Sequence, residues 1–186
     1  MPDIWKLESL RSGDLELVIL PGIGGRLWDV VFQGHSLLFQ NSDLEGFLPN
    51  LENLRDCPTQ SPQFGFPLWG GEKTWIAPDT NWPDGTPYAA LDSGQYEIVG
   101  GSPAHITLQS AVCPNTGLQI ERKIQLSDGS GWTIQHSVTN RGQNGKDVGI
   151  WSVMMLEHKA RIGVAGGRSG GDHRFRTPTK CGLHWQ

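Results

Sequence analysis

Apolar and polar positions alternate with a period of two over a series of short stretches. Leu15, Leu17 and Ile19 alternate with Glu16 and Val18, and Pro21-Gly22 closes the run. A second run covers Leu27 to Phe32, where Gln33-Gly34-His35 supplies a hairpin turn into Ser36–Phe39. Tyr96 and Ile98 alternate ahead of Gly100-Gly101. Ile106 and Leu108 open a strand that reaches Val112, and Pro114-Asn115-Thr116-Gly117 turns it into Leu118, Ile120, Ile124 and Leu126. Asp128 to Gly131 turns the chain again, into Trp132, Ile134, His136 and Val138. Asn140-Arg141-Gly142 and Asn144-Gly145 lead to a last run over Val148–Met155. Successive side chains of a strand point to opposite faces, so this period belongs to strands half-buried on one side. No long segment keeps a 3.6-residue period. Short strands at regular intervals, joined by Gly, Asn and Asp turns, predict an all-β chain folded as an antiparallel β-sandwich.

Two segments depart from that pattern. Asn41 to Pro67 is polar and proline-containing, with a short helix expected around Leu48–Leu54; loops of this length commonly carry function. Pro21-Gly22-Ile23-Gly24-Gly25-Arg26 is glycine-rich, yet it runs from strand to strand. A dinucleotide or phosphate loop opens a helix instead, so these glycines are expected to permit a tight bend or bulge. Arg26 then serves either as a site residue or as a structural hydrogen-bond donor.

Charge divides the chain. Residues 1–156 hold 9 Lys+Arg against 17 Asp+Glu, a net −8, and residues 157–186 hold 6 against 2, a net +4. Residues 1–156 are therefore expected to form the sandwich domain. Residues 157–186, interrupted by Gly166-Gly167 and Gly170-Gly171, are expected to be a basic, poorly ordered or aberrant tail. An acidic body lacks the clustered cations that nucleic-acid binding needs, so no nucleic-acid partner is expected. No apolar run approaches the roughly 20 residues of a spanning helix, and Met1 to Ser12 has no signal-peptide pattern, so a cytoplasmic chain with no membrane partner is expected. Cys57, Cys113 and Cys181 are far apart and read as ordinary thiols. No CxxC or HxxxH spacing is present, so no metal site is expected from the residues.

The chemistry concentrates between Phe66 and Tyr88. Trp69, Trp75 and Trp82 are interleaved there with Glu72, Lys73, Asp79 and Asp84. A pyranose has apolar C–H faces and a rim of hydroxyls, so its sites combine flat aromatic platforms with carboxylates, amides and cations. The competing reading makes these tryptophans core anchors. His136 shares a strand face with Trp132 and Ile134, which suits a satisfied buried histidine better than a general acid.

The run LPGIGGRLWDVVFQGHSLLF, the run WGGEKTWIAPDTNWPDG, and the later HSVTNRG followed by VGIWSVMMLE resemble, in that order, segments of galactose mutarotase-like (aldose 1-epimerase-like) proteins. The resemblance covers most of residues 14–156. It implies an antiparallel β-supersandwich, here incomplete, with an open carbohydrate cleft. It also implies acid–base chemistry at the anomeric carbon, in which a carboxylate removes the hydroxyl proton and a histidine protonates the ring oxygen, with no metal and no organic cofactor. Two departures matter. The strand Gly149-Ile150-Trp151-Ser152-Val153 lacks the family's histidine, and the family's late catalytic glutamate has no counterpart before Gln186, as expected of a truncated or frame-shifted member. The expected function is therefore carbohydrate binding without full catalytic machinery, with Arg26, Trp69, Lys73, Trp75, Trp82 and Trp151 as substrate-binding candidates. The alternatives are an aldose epimerase using Glu72, Asp79 and His136, and a structural or interaction sandwich. The sugar and the oligomeric state stay open at this stage.

Overall fold

The computed structural model describes residues 3–128 and 131–157. All but one of the tail residues 157–186 thus lie outside the described residues, as do two residues of the expected Asp128–Gly131 turn. Among the described residues, ten strands form two antiparallel sheets. The first contains β1 (Glu8–Ser12), β2 (Leu15–Leu20), β3 (Arg26–Phe32), β5 (Glu72–Ala77) and β10 (Gly149–Met154) in that spatial order, with the short β4 (His35–Ser36) paired to β3. The second runs β6 (Tyr96–Ser102), β7 (His105–Ser110), β8 (Leu118–Leu126) and β9 (Trp132–Asn140). The chain is all-β and sandwich-like, as its alternation predicts.

The main core lies between the sheets. Leu15, Leu17, Ile19, Leu27, Val30 and Ile76 of the first sheet meet Ile106, Leu108, Leu118, Ile120, Ile124 and Leu126 of the second. Full burial of each such side chain contributes about 1.5–3 kcal/mol relative to exposure. A smaller core covers the other face of the first sheet. It is built from Leu20, Ile23, Trp28, Leu44, Cys57 and Trp69, and the Asn41–Pro67 segment supplies part of it. The middle strands of the first sheet are therefore buried on both faces, and β5 shows no alternation of exposure.

Several local expectations are corrected. Leu48–Leu54 is not helical. Asn50 Oδ1 accepts from Glu52 N and Asn53 Oδ1 from Arg55 N, holding turns that end in a 3-10 turn at Leu54–Asp56. Gly100 and Gly101 do not end a strand. They lie inside β6, where the register with β7 shifts between Ile98 and Gly100, the kind of irregularity glycine tolerates. β1 gave no periodic signal, because Leu10 is its one buried side chain. The glycine-rich Pro21–Arg26 does make a tight bend: Gly24 and Gly25 have φ of +67° and +57°, and a Cβ on Gly25 would lie 2.6 Å from the Tyr96 ring. Gln33 and Gly34 both take positive φ, at 51° and 80°, as a two-residue hairpin turn requires. Among the described residues no helix is long and apolar enough to cross a membrane.

Candidate functional site

Strand β5 organises the polar chemistry, and two glycines place it. Gly70 and Gly71 have φ of +112° and +69°, and a Cβ on Gly71 would sit 2.4 Å from the Leu27 carbonyl oxygen. That close approach sets Glu72 opposite Leu27 and lets β5 lie between β3 and β10. From Glu72 onward, neighbouring side chains leave the strand in opposite directions. Glu72 and Thr74 point between the sheets, whereas Lys73 and Trp75 point to the outer face.

The inner group is an ion pair with a histidine beside it. Arg122 of β8 donates to Glu72 Oε2 and, at 2.6 Å, to the carbonyl of Gly25. Ser152 Oγ donates to Glu72 Oε1 at 2.7 Å. His136 Nε2 stands 3.9 Å from that same oxygen, and its Nδ1 is 2.7 Å from Thr74 Oγ1. Burial, and then the Arg122 charge, lower the His136 pKa below its ordinary value, so the ring is neutral at pH 7.

The outer group centres on Asp92, the last residue of a one-turn helix, α1 (Ala89–Asp92). Its Oδ1 accepts from Lys73 Nζ and Trp75 Nε1, both at 2.7 Å. Its Oδ2 accepts from Ser93 Oγ at 2.7 Å and Arg26 Nη2 at 3.2 Å. Four donors, two of them cationic side chains, hold the carboxyl well below the usual carboxylate range against the opposing effect of burial. Burial pushes Lys73 down to about 7. Asp92 is the firmer of the two, since Arg26 balances its charge in either state of the lysine. All three side chains are at most 2% exposed.

Beyond this group the outer face becomes aromatic. Lys73 Nζ sits 4.0 Å from the centroid of the Trp75 ring. Trp75 contacts Phe66, Trp82 and Trp151 edge-on at 5.7, 5.1 and 5.6 Å. Trp82 and Trp151 are stacked, with 28° between planes and centroids 6.4 Å apart. Trp75 and Trp151 are cross-strand partners on β5 and β10. Trp151 is 42% exposed and Trp82 half-buried, so these two form the solvent side of the wall.

The expected site residues therefore separate into three sets. Trp82 and Trp151 reach the surface, with Trp75 and Lys73 directly behind them. Glu72 and His136 come together, but between the sheets. Asp79 stands apart on an exposed 3-10 turn, Asp79–Asn81, where its side chain makes no described hydrogen bond. Arg26 and Trp69 are enclosed. Arg26 is a structural donor to Gly70 O and Asp92, and Trp69 is a core anchor whose Nε1 donates to Ser93 Oγ. Sequence reasoning missed Asp92, Arg122 and Ser152. Arg122 had a signal, since it occupies the inward slot between Ile120 and Ile124. Cys57 is buried, and its thiol is pushed up to about 11 mainly by that burial, so it is inert.

Two small cavities among the described residues lie elsewhere. One of about 160 Å³ sits at the end of the sandwich, lined by Pro78, Asn81, Tyr88, Thr116, Lys146 and Asp147 among others. The other, about 250 Å³, opens between β1 and β6 beside Leu10, Ile98 and His105. Comparison with protein-family models, with curated proteins and with solved structures gave no match.

Proposed function

We propose that this chain binds carbohydrate on the Trp82–Trp151 wall and does not transform it there. The observation that carries this reading is a stacked tryptophan pair at the surface, Trp151 on β10 and Trp82 on the turn that follows β5. Trp82 Nε1 donates to the Ile76 carbonyl at 2.7 Å and Trp75 Nε1 to Asp92, whereas the Trp151 indole N–H makes no hydrogen bond among the described residues. That N–H can meet a sugar hydroxyl while the ring face meets the C–H bonds. The two rings touch each other, so a pyranose stacks on their outward faces rather than between them. The order of motifs shared with mutarotase-like proteins supports the same ligand class.

The absence of catalysis follows from saturation. The Asp92 carboxylate behind the wall has donors on both oxygens and no exposure, so it has no capacity to take a substrate proton. Glu72 and His136 are screened from the wall by the sheet itself. Tryptophan fluorescence titrated with monosaccharides and short oligosaccharides tests the reading. Saturable quenching or a shift that disappears in Trp151→Ala is expected, and a flat response across the panel would remove the proposal.

One observation favours an epimerase reading, the 3.9 Å approach of neutral His136 to Glu72. It would require a sugar to enter between β9 and β10. Polarimetry on freshly dissolved α-glucose and α-galactose decides it, and no acceleration over buffer is expected.

A further inference from the structure

The two edges of the first sheet are built in opposite ways. β1 is guarded by charge: Glu8 pairs with Lys6 and Arg11 with Glu16, each at 2.8 Å. Such an edge resists the approach of another strand. The β10 edge carries neither charge nor proline from Val148 to Leu156. Within the described residues, 14 large apolar side chains are exposed, and 5 of them fall in this run: Val148, Ile150, Trp151, Met154 and Leu156, at 38–47%. Such clustering on nine consecutive residues marks an interaction edge.

The backbone of this edge is also unpaired. Among the described residues, β5 and residues 37–39 pair with the run, both from the same side. Met155 donates its N–H to Gly71 O and accepts from Phe39 N, each at 3.0 Å. By alternation along an antiparallel strand, the N–H and C=O groups of Ile150, Ser152 and Met154 turn away from β5. An uncovered row of such groups is a template for one more strand.

We infer that a second copy of this chain closes the edge, with β10 running antiparallel to β10 about a twofold axis perpendicular to the sheet. That symmetry keeps the inner faces of both copies on one side, so facing residues have numbers with an even sum. Centring the axis on Ser152 sets Ile150 against Met154, Trp151 against Val153 and Val148 against Leu156. Each of the five exposed apolar side chains then meets an apolar one. The outward face of Trp151 stays open to solvent, so sugar binding and pairing are compatible.

The matched apolar register and the area both favour a second copy as the occupant. Residues 1–156 carry a net −8, and the uncharged run from Val148 to Leu156 lets two such copies meet with like charges only at its ends. Residues 158–186 alternate over Lys159–Val164, a shorter stretch than the nine residues of this edge. Nine paired residues at about 3.4 Å each, on a flank about 20 Å thick, bury on the order of 600 Å² per copy. That reaches the lower end of specific interfaces, at roughly 1,200 Å² in total, and gives a concentration-dependent dimer. Asp147 and Glu157 face each other at the ends of the pairing, so added salt strengthens it.

Sedimentation velocity on the full chain over about 1–100 μM, the range suited to a small interface, tests the pairing. The sedimentation coefficient is expected to rise from monomer to dimer with concentration. Ile150→Lys adds a charge to the seam, and Met154→Pro removes an outward N–H. Each is expected to weaken association at least tenfold while the circular dichroism spectrum stays that of the wild type. A full chain that is monomeric throughout, or a dimer indifferent to both substitutions, would overturn the inference.

Discussion

The two faces of β5 carry the same elements to different ends. Each has a carboxylate, a buried guanidinium and a third polar partner: Glu72, Arg122 and His136 inside, Asp92, Arg26 and Lys73 outside. Inside, the group joins one sheet to the other across the main core. Outside, it ties α1 to the sheet and, through the Trp75 indole, braces an aromatic surface that faces water. A strand that alternates its side chains can thus place a sheet-to-sheet fastener and an aromatic wall one residue apart. The charged residues that draw the eye in the sequence fix the fold, and the aromatic residues next to them meet the solvent.

The largest effect expected from breaking this arrangement is on the outer group. Asp92→Asn leaves the buried Arg26 guanidinium facing a neutral amide and drives Lys73 to give up its proton, and should cost about 3–5 kcal/mol of stability in chemical denaturation. Arg122→Met breaks the inner pair and leaves the Glu72 carboxylate unmatched; about 3 kcal/mol is expected, less than at Asp92 because one cation rather than two is involved. If the order of these two losses were reversed, the inner pair would be the stronger fastener.

Acidification separates the faces in sequence. The folded pKa of His136 lies below its ordinary 6.5. As pH falls below that value the unfolded chain takes a proton that the folded chain refuses, and stability declines. Asp92 acts later, because its folded pKa lies below the ordinary 3.8. Its contribution is present above that value and is lost as pH falls further. Denaturation midpoints measured from pH 7 to pH 3 should fall in two stages, and His136→Gln should remove the first stage alone. Trp151→Ala has the smallest effect on stability, within about 1 kcal/mol for a half-exposed side chain, while it abolishes sugar-dependent fluorescence.

Much of the sandwich was legible because one-sided burial writes a period-two pattern. Leu15, Leu17 and Ile19, or Ile120, Ile124 and Leu126, could hardly be read otherwise. β5 was hidden for the opposite reason. Buried on both faces, Glu72-Lys73-Thr74-Trp75 shows no contrast between inward and outward positions and reads as an irregular polar segment. Asp92 follows Ala89-Ala90-Leu91 in a single helical turn, and nothing local distinguishes it from a surface aspartate; three of its four partners, Trp75, Lys73 and Arg26, are 17 to 66 residues away. Composition marked the tryptophans as a group but could not divide them. Trp69 and Trp82 look alike in sequence, yet one is covered by the Asn41–Pro67 segment and the other lies on a turn held by its own indole hydrogen bond.

The claim that sugar is held by the outer tryptophan wall is tested most directly by the indole N–H resonances of the ¹⁵N-labelled chain, assigned with Trp151→Phe and Trp82→Phe. On titration with a saccharide that quenches fluorescence, the Trp151 and Trp82 signals should move in a saturable way while the enclosed Trp69 signal stays fixed. Sugar-dependent shifts confined to residues around His136 and Ser152, with the Trp151 signal unmoved, would contradict the account.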